Sequence, residues 1–151
     1  MAESQFHINL VRELYCFAQE IRPGDKNVVI YVDLPDVNAE SRPPQMGNSR
    51  PDLFAHCYND PLTIVGEAKT ALDLERSHTV DQLRDFIRYL VDKPNPLLVM
   101  ATPWLIARTA ATNIRRELKR LDAGSIRNSL HGLVFRNGLL EAPRRARRHG
   151  C

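Results

Sequence analysis

The sequence predicts a single α/β domain, a central mixed β-sheet flanked by helices in the order αβββαβαβ. Three observations predict it. Apolar residues recur at three- and four-residue spacing in three separate segments, the period of an amphipathic helix. Between them lie short runs rich in Val, Ile, Leu and Phe and bounded by Pro, Gly, Asn and Asp, which read as strands. Three strands come together and then strand and helix alternate, which gives an antiparallel meander followed by crossover units.

The first helix carries Leu10, Val11, Leu14, Phe17, Ala18 and Ile21 on one stripe, and Pro23-Gly24 ends it. Lys26 to Asp33, with Asn27-Val28-Val29-Ile30-Tyr31-Val32 inside it, returns as a strand antiparallel to that helix. Pro35 to Asn48, with Pro43-Pro44 and Gly47, has almost no apolar content and reads as a long loop, of the kind that is either functional or disordered. The second strand begins Arg50-Pro51-Asp52-Leu53-Phe54-Ala55 and the third spans Leu62 to Lys69; Asn59-Asp60-Pro61 folds them into an antiparallel hairpin.

Thr70 to His78 reads as a charged connection, after which Thr79-Val80-Asp81-Gln82 starts the second helix. Its apolar stripe is Val80, Leu83, Phe86, Ile87 and Leu90. Leu97 to Ala101, between Pro96 and Pro103, is a continuous apolar run suited to a buried strand next to the third. The right-handed crossover between them sets this helix on the sheet face opposite the first. A third helix, Trp104 to Leu121, buries Ala107, Ala111, Ile114, Leu118 and Leu121, with Gly124 capping its end and Leu130 to Phe135 forming a last strand.

A chain of 151 residues suits one domain with a sizeable core, here residues 1–143, and 43% hydrophobic with 26% charged residues is ordinary for a globular protein. The net charge of +3 is uneven, because Arg144, Arg145, Arg147 and Arg148 fall in the basic tail 144–151 and the remainder is near neutral. Such a tail is either a nucleic-acid arm or a solvated end. Cys16, Cys57 and Cys151 show no metal-binding spacing and match reduced thiols of a cytoplasmic protein. The N-terminus has no basic segment followed by an apolar one, and the longest uncharged run, Pro94 to Ala107, contains three prolines, so neither a signal peptide nor a membrane span is expected. Gly-rich phosphate loops, Ser elbows, CxxC and HExxH motifs are absent, and with only 7% aromatic residues, several of them on core faces, no aromatic platform for single-stranded bases is expected.

The hairpin is where chemistry-bearing residues meet. Asp52 opens one strand and lies beside Glu67 and Lys69, which close the other; being two apart, Glu67 and Lys69 project from one face while Ala68 points away. Two carboxylates suit a hard cation such as Mg²⁺, with Mn²⁺ as substitute, and an ammonium beside the metal positions water or offsets developing charge. The plain alternative is an Asp at a turn and a Glu–Lys pair on a solvated strand.

These residues, Pro51-Asp52 and then Glu67-Ala68-Lys69 fifteen positions on, with Gln82 on the next helix, resemble the PD-(D/E)xK nuclease superfamily. The resemblance spans roughly residues 3 to 102 and implies a three-layer, restriction-endonuclease-like core and, as a rule, DNA as substrate. It implies Asp52, Glu67 and Lys69 as catalytic residues, Asp52 and Glu67 with the Ala68 carbonyl as metal ligands, and Gln82 as a group that orients the site. Gln82 has a second reading, since Thr79 and Gln82 also make a capping box.

Glu3 and His7 fall in the apolar stripe of the first helix, and the meander brings that helix start towards Asp52. Members of the resembled superfamily often draw a further carboxylate from this helix. Glu3 fits that role, with Glu13 as fallback and His7 as a hydrogen-bonding neighbour; a solvated first turn explains the same pattern. Arg50, with Arg42 at the loop, and the line Arg108, Arg115 and Lys119 on the third helix are the candidate phosphate contacts, a line that reads equally as a solvated face. The reading is a Mg²⁺-dependent nuclease acting on DNA, with a homodimer as one way to cut both strands. The alternatives are a silent nucleic-acid-binding or protein-interaction module of the same fold, and a nuclease acting on RNA.

Overall fold

A computed structural model describes residues 4–22, 27–37, 39–74, 76–136 and 139–141. The chain forms α1 (Gln5–Glu20), β1 (Val28–Val32), β2 (Leu53–Cys57), β3 (Leu62–Ala68), α2 (Ala71–Leu74), α3 (Ser77–Leu90), β4 (Pro96–Pro103), α4 (Ala107–Arg120), β5 (Arg127–Arg136) and β6 (Leu139–Glu141). The six strands lie in sequence order in one mixed sheet. β1, β2 and β3 are antiparallel, β4 and β5 run parallel to β3, and β6 returns antiparallel on β5. The α/β class and the meander followed by crossovers match the sequence reading; α2 and β6 are additional elements. Glu3, Pro23-Gly24, Lys26 and the basic tail lie outside the described residues.

Helices cover both faces because β2, β3 and β4 are apolar on both. On one face Leu10, Val11, Leu14 and Ala18 of α1 pack on Leu53, Ala55, Ile64, Ala68, Val99 and Ala101. On the other, Phe86, Ile87 and Leu90 of α3 and Ile114 of α4 pack on Phe54, Val65, Leu98 and Met100. Every residue of β3 is buried, so the strand that ends in Glu67 and Ala68 is held from both sides. α1 begins at Ser4, whose hydroxyl accepts the His7 N–H at 3.2 Å, and this cap fixes the helix turn that carries the His7 side chain.

Four local expectations are corrected. α3 starts at Ser77 and forms no capping box: the Thr79 hydroxyl donates to the Asp73 carbonyl instead, and Gln82 is engaged elsewhere. A 3-10 turn, Trp104–Ile106, precedes α4, whose inward stripe is Ala110, Ile114, Glu117 and Leu118. Ala107, Ala111 and Leu121 are only half-buried. The rotation admits a carboxylate because Arg84 of α3 donates to Glu117 at 2.9 Å and Arg116 at 3.3 Å, which outweighs the upward push of burial and holds the Glu117 carboxyl below its ordinary range. α4 is capped at Leu121 and followed by Asp122 at φ 51°, with Ala123 N–H bonded to Leu118 O and Asp122 N–H to Lys119 O, so Gly124 is not needed for it.

The fourth correction concerns the loop before β2, which is built rather than loose. Met46 is fully buried against the α3 face, Met46 and Ser49 pair across a tight turn, and Asp85 of α3 accepts the Asn48 N–H at 3.1 Å and the Ser49 hydroxyl at 2.8 Å. Gly47 sits in this turn at φ 59°, and a Cβ there would lie 2.8 Å from the Asp85 carboxyl carbon. Gly47→Ala therefore combines left-handed strain with a steric clash and lowers stability by roughly 1–3 kcal/mol. Chemical unfolding measures it; an unchanged midpoint would mean the turn is not held by Asp85. The turn leads directly into Arg50-Pro51-Asp52, so its anchoring sets where the second strand enters the site.

Candidate active site

The hairpin register pairs Leu53 with Gly66, which leaves Asp52 beside Glu67 at the end of the sheet. Two hydrogen bonds lock the corner: the Asp52 N–H donates to Glu67 Oε2 at 3.3 Å, and the Ala68 N–H donates to Asp52 Oδ2 at 2.7 Å. Each acid thus bonds the backbone at or next to the other. Glu67 and Lys69 share the face of Val65, towards α3, and Lys69 Nζ reaches Glu67 Oε1 at 2.7 Å. The same ammonium donates to Gln82 Oε1 at 2.7 Å. From the other side His7 Nε2 lies 3.3 Å from Asp52 Oδ1.

The structure therefore brings Asp52, Glu67, Lys69, Gln82 and His7 into one cluster at one sheet edge. Glu13 is six residues beyond His7, about 9 Å further along the helix axis. Half-burial and the charge of Glu20 push its carboxyl up, and it is not among the groups that act on Glu67. Arg50 is exposed next to Asp52, and Arg108, Arg115 and Lys119 are exposed along α4. Beside the cluster, between α1 and α2, opens a cleft of about 310 Å³ lined by Ser4, His7, Thr70, Leu72, Asp73 and Arg76.

Electrostatically the site is under tension. Glu67 is 3% exposed. Its carboxyl is pushed up to about 8, first by burial and then by the Asp52 charge, against the lowering effect of the Lys69 ammonium. Glu67 is buried and Asp52 partly so; the Lys69 ammonium bonds only the Glu67 side of the pair, and His7 stands next to Asp52. Among the described residues no group of three His, Cys, Asp or Glu could hold an ion. Mg²⁺ does not need one, because it keeps several waters and is commonly held by one or two carboxylates with substrate phosphate. The donor set of Asp52 and Glu67 fits that chemistry.

Sequence reasoning missed one polar group at this edge. Thr102 continues the β3–β4 register that pairs Glu67 with Met100 and Ala68 with Ala101, which sets it beside Lys69. It is fully buried, and its hydroxyl has no hydrogen-bond partner among the described residues. Its place at the end of an apolar strand run, before Pro103, is the only signal the sequence offers. Thr102→Val keeps the shape and removes the unsatisfied oxygen, so the metal-free protein gains about 1 kcal/mol in thermal unfolding. A loss of similar size would show that the hydroxyl is bonded in solution.

Fold and site together define an α/β domain with a carboxylate–lysine cluster at the end of a mixed sheet. No family model matches this chain, and no curated protein does. Among solved structures it is similar to SfsA from Pyrococcus furiosus, determined in complex with Ca²⁺, at a TM-score of 0.46 and 16% identity, covering 91% of this chain and 60% of that one. The chain thus spans about three fifths of that protein's length. Among the described residues no helix is long and apolar enough to cross a membrane.

Proposed function

We propose that the protein is a metal-dependent nuclease that hydrolyses phosphodiester bonds in DNA, on a core of the PD-(D/E)xK, restriction-endonuclease-like type. The observation that carries this reading is the placement of Lys69 Nζ at 2.7 Å from both Glu67 and Gln82, beside Asp52, in a corner of the sheet with more carboxylate than cation. Asp52 and Glu67, with the Ala68 carbonyl, would hold Mg²⁺ or Mn²⁺; Glu3, which precedes Ser4 in the sequence, would add a carboxylate. When bound, such an ion supplies Lewis acidity at the phosphate and a water of lowered pKa.

The chain's own residues divide the remaining work. Lys69 orients the attacking water and offsets charge that develops on the phosphate oxygens. Gln82, by accepting from Lys69, fixes the direction of the ammonium, and His7 holds Asp52 from the α1 side. Arg50 next to the cluster and Arg108, Arg115 and Lys119 along α4 contact phosphates without reading bases. A homodimer would supply the second site that cutting both strands requires.

The absence of a third acidic ligand among the described residues favours a second reading, a fold that binds nucleic acid or protein without turnover. Incubating the protein with plasmid, branched and single-stranded DNA in Mg²⁺, Mn²⁺ or EDTA separates the two. Metal-dependent nicking supports the nuclease; binding without cleavage on all substrates supports the silent module. Neutralising Arg108, Arg115 and Lys119 should lower the log–log salt slope of DNA binding by about one unit for each phosphate no longer bound. An unchanged slope would make that line a solvated face.

A further inference from the structure

Next to the proposed site stands an aromatic projection that neither the core nor the chemistry above uses. Trp104, the sole tryptophan, is 56% exposed and Leu105 is 93% exposed, although both follow directly on the buried strand β4. Their position is fixed by the parallel registers, in which Ala68 pairs with Ala101 and Thr102 with Gly132. Lys69, Thr102 and Gly132 therefore form one row across three strands. With about 4.8 Å between strands and 3.3 Å per residue, the Trp104 backbone lies roughly 8 Å from that of Lys69.

The indole is seated on the sheet. A Cβ at Gly132 would come within 2.7 Å of Trp104 Cε3 and 3.2 Å of the Ala107 Cβ, so the ring occupies the space that glycine leaves, with more than half its surface in water. From this point α4 presents Arg108, Arg115 and Lys119 to solvent. A partner suited to both features is an anionic polymer that carries flat apolar faces. Nucleic acid with accessible bases has that chemistry; a stacked duplex hides those faces. An apolar protein partner would instead meet a cationic border.

We infer that Trp104 is a stacking platform for an unpaired nucleobase within one or two nucleotides of the scissile phosphate, so that the substrate is DNA with a single-stranded or splayed segment. The reference to a scissile phosphate rests on the nuclease reading; the stacking does not, and the two are tested separately. Because Trp104 is the sole tryptophan, its emission reports on its own environment. The full chain in EDTA is titrated with a fluorescein-labelled single-stranded oligonucleotide and with the blunt duplex of the same sequence. Tryptophan emission and label anisotropy are followed together, and cleavage is assayed in parallel with Mg²⁺.

The expected result is quenching of Trp104 by the single strand and little by the duplex. Trp104→Ala weakens single-strand binding roughly 5- to 100-fold, the range of one base–aromatic stack, while Trp104→Phe keeps most of the affinity. Gly132→Ala displaces the ring, shifts the emission maximum and weakens single-strand binding in the same direction. Equal quenching by both DNAs, or unchanged single-strand affinity in Trp104→Ala, overturns the inference even if cleavage persists. Quenching by single strands without cleavage of any DNA leaves the platform standing and overturns the nuclease reading. If Trp104→Ala turns a dimer into a monomer in sedimentation with DNA affinity unchanged, the projection serves self-association and the stacking inference falls.

Discussion

On the nuclease reading, replacing Lys69 by Ala should lower DNA cleavage by roughly 10³-fold or more in turnover, while Mn²⁺ binding stays within a few-fold of the wild type. The asymmetry follows from the bonding. Lys69 Nζ donates to Glu67 and Gln82 at 2.7 Å each but, being an ammonium, offers no lone pair to a metal. Removing it takes away the group that orients water and frees Glu67 Oε1. Asp52→Asn and Glu67→Gln replace carboxylates that bond the backbone of the same corner, and these lose metal binding and cleavage together. Gln82→Ala should fall between, with reduced turnover and unchanged metal affinity, because it reaches the site only through Lys69. Calorimetric titration with Mn²⁺ alongside nicking assays checks all four. If Lys69→Ala loses the metal as well, the lysine is needed to assemble the corner and the division of roles is wrong.

Several parts of this cluster are legible in the sequence for physical reasons. Asn59-Asp60-Pro61 between two apolar runs leaves little choice but a hairpin, and the period of two along β3 puts Glu67 and Lys69 on one side. Helical phase puts His7 on the apolar stripe of α1, and the structure places its ring 3.3 Å from Asp52. The stripe itself is strong because Leu10, Val11, Leu14 and Ala18 are all fully or nearly fully buried.

What is not legible depends on interactions between distant segments. Thr79 and Gln82 have the spacing of a capping box, but the Asp73 carbonyl takes the Thr79 hydroxyl and Lys69 takes Gln82. The inward face of α4 includes Glu117, which no hydropathy pattern selects; its burial depends on Arg84, 33 residues earlier. Pro35 to Asn48 looks featureless because its anchors, Met46 and the turn at Gly47, are ordered by Asp85 on α3. Trp104 heads the predicted third helix with nothing in the pattern to mark its exposure; the 3-10 turn presents it to solvent, and the space it leans into belongs to Gly132 on another strand.

The titration of Glu67 gives the second large effect, and its sign distinguishes a metal site from a structural ion pair. In the folded protein burial and Asp52 push this carboxyl from its ordinary 4.5 up to about 8. The unfolded chain releases that proton near the ordinary value, so between these two limits the folded state binds more protons than the unfolded one. Stability linked to Glu67 is thus fully present at low pH and is lost as pH rises through the folded value. In EDTA the wild type should lose roughly 4 kcal/mol, or about 8–16 °C in Tm, between pH 5 and pH 9 from this group. Glu67→Gln cannot release the proton, so its Tm changes less with pH and exceeds that of the wild type at pH 9. A divalent ion needs the ionised carboxylate and displaces the proton, so the Tm gain from Mn²⁺ should grow from pH 6 to pH 9 in the wild type and vanish in Glu67→Gln. A structural Glu67–Lys69 pair predicts the reverse, a variant that is weaker at every pH and a wild type indifferent to Mn²⁺. Thermal scans of both proteins at several pH values, with EDTA and with Mn²⁺, decide between them: a Glu67→Gln protein less stable than wild type at pH 9 in EDTA would remove the case for a metal-holding corner.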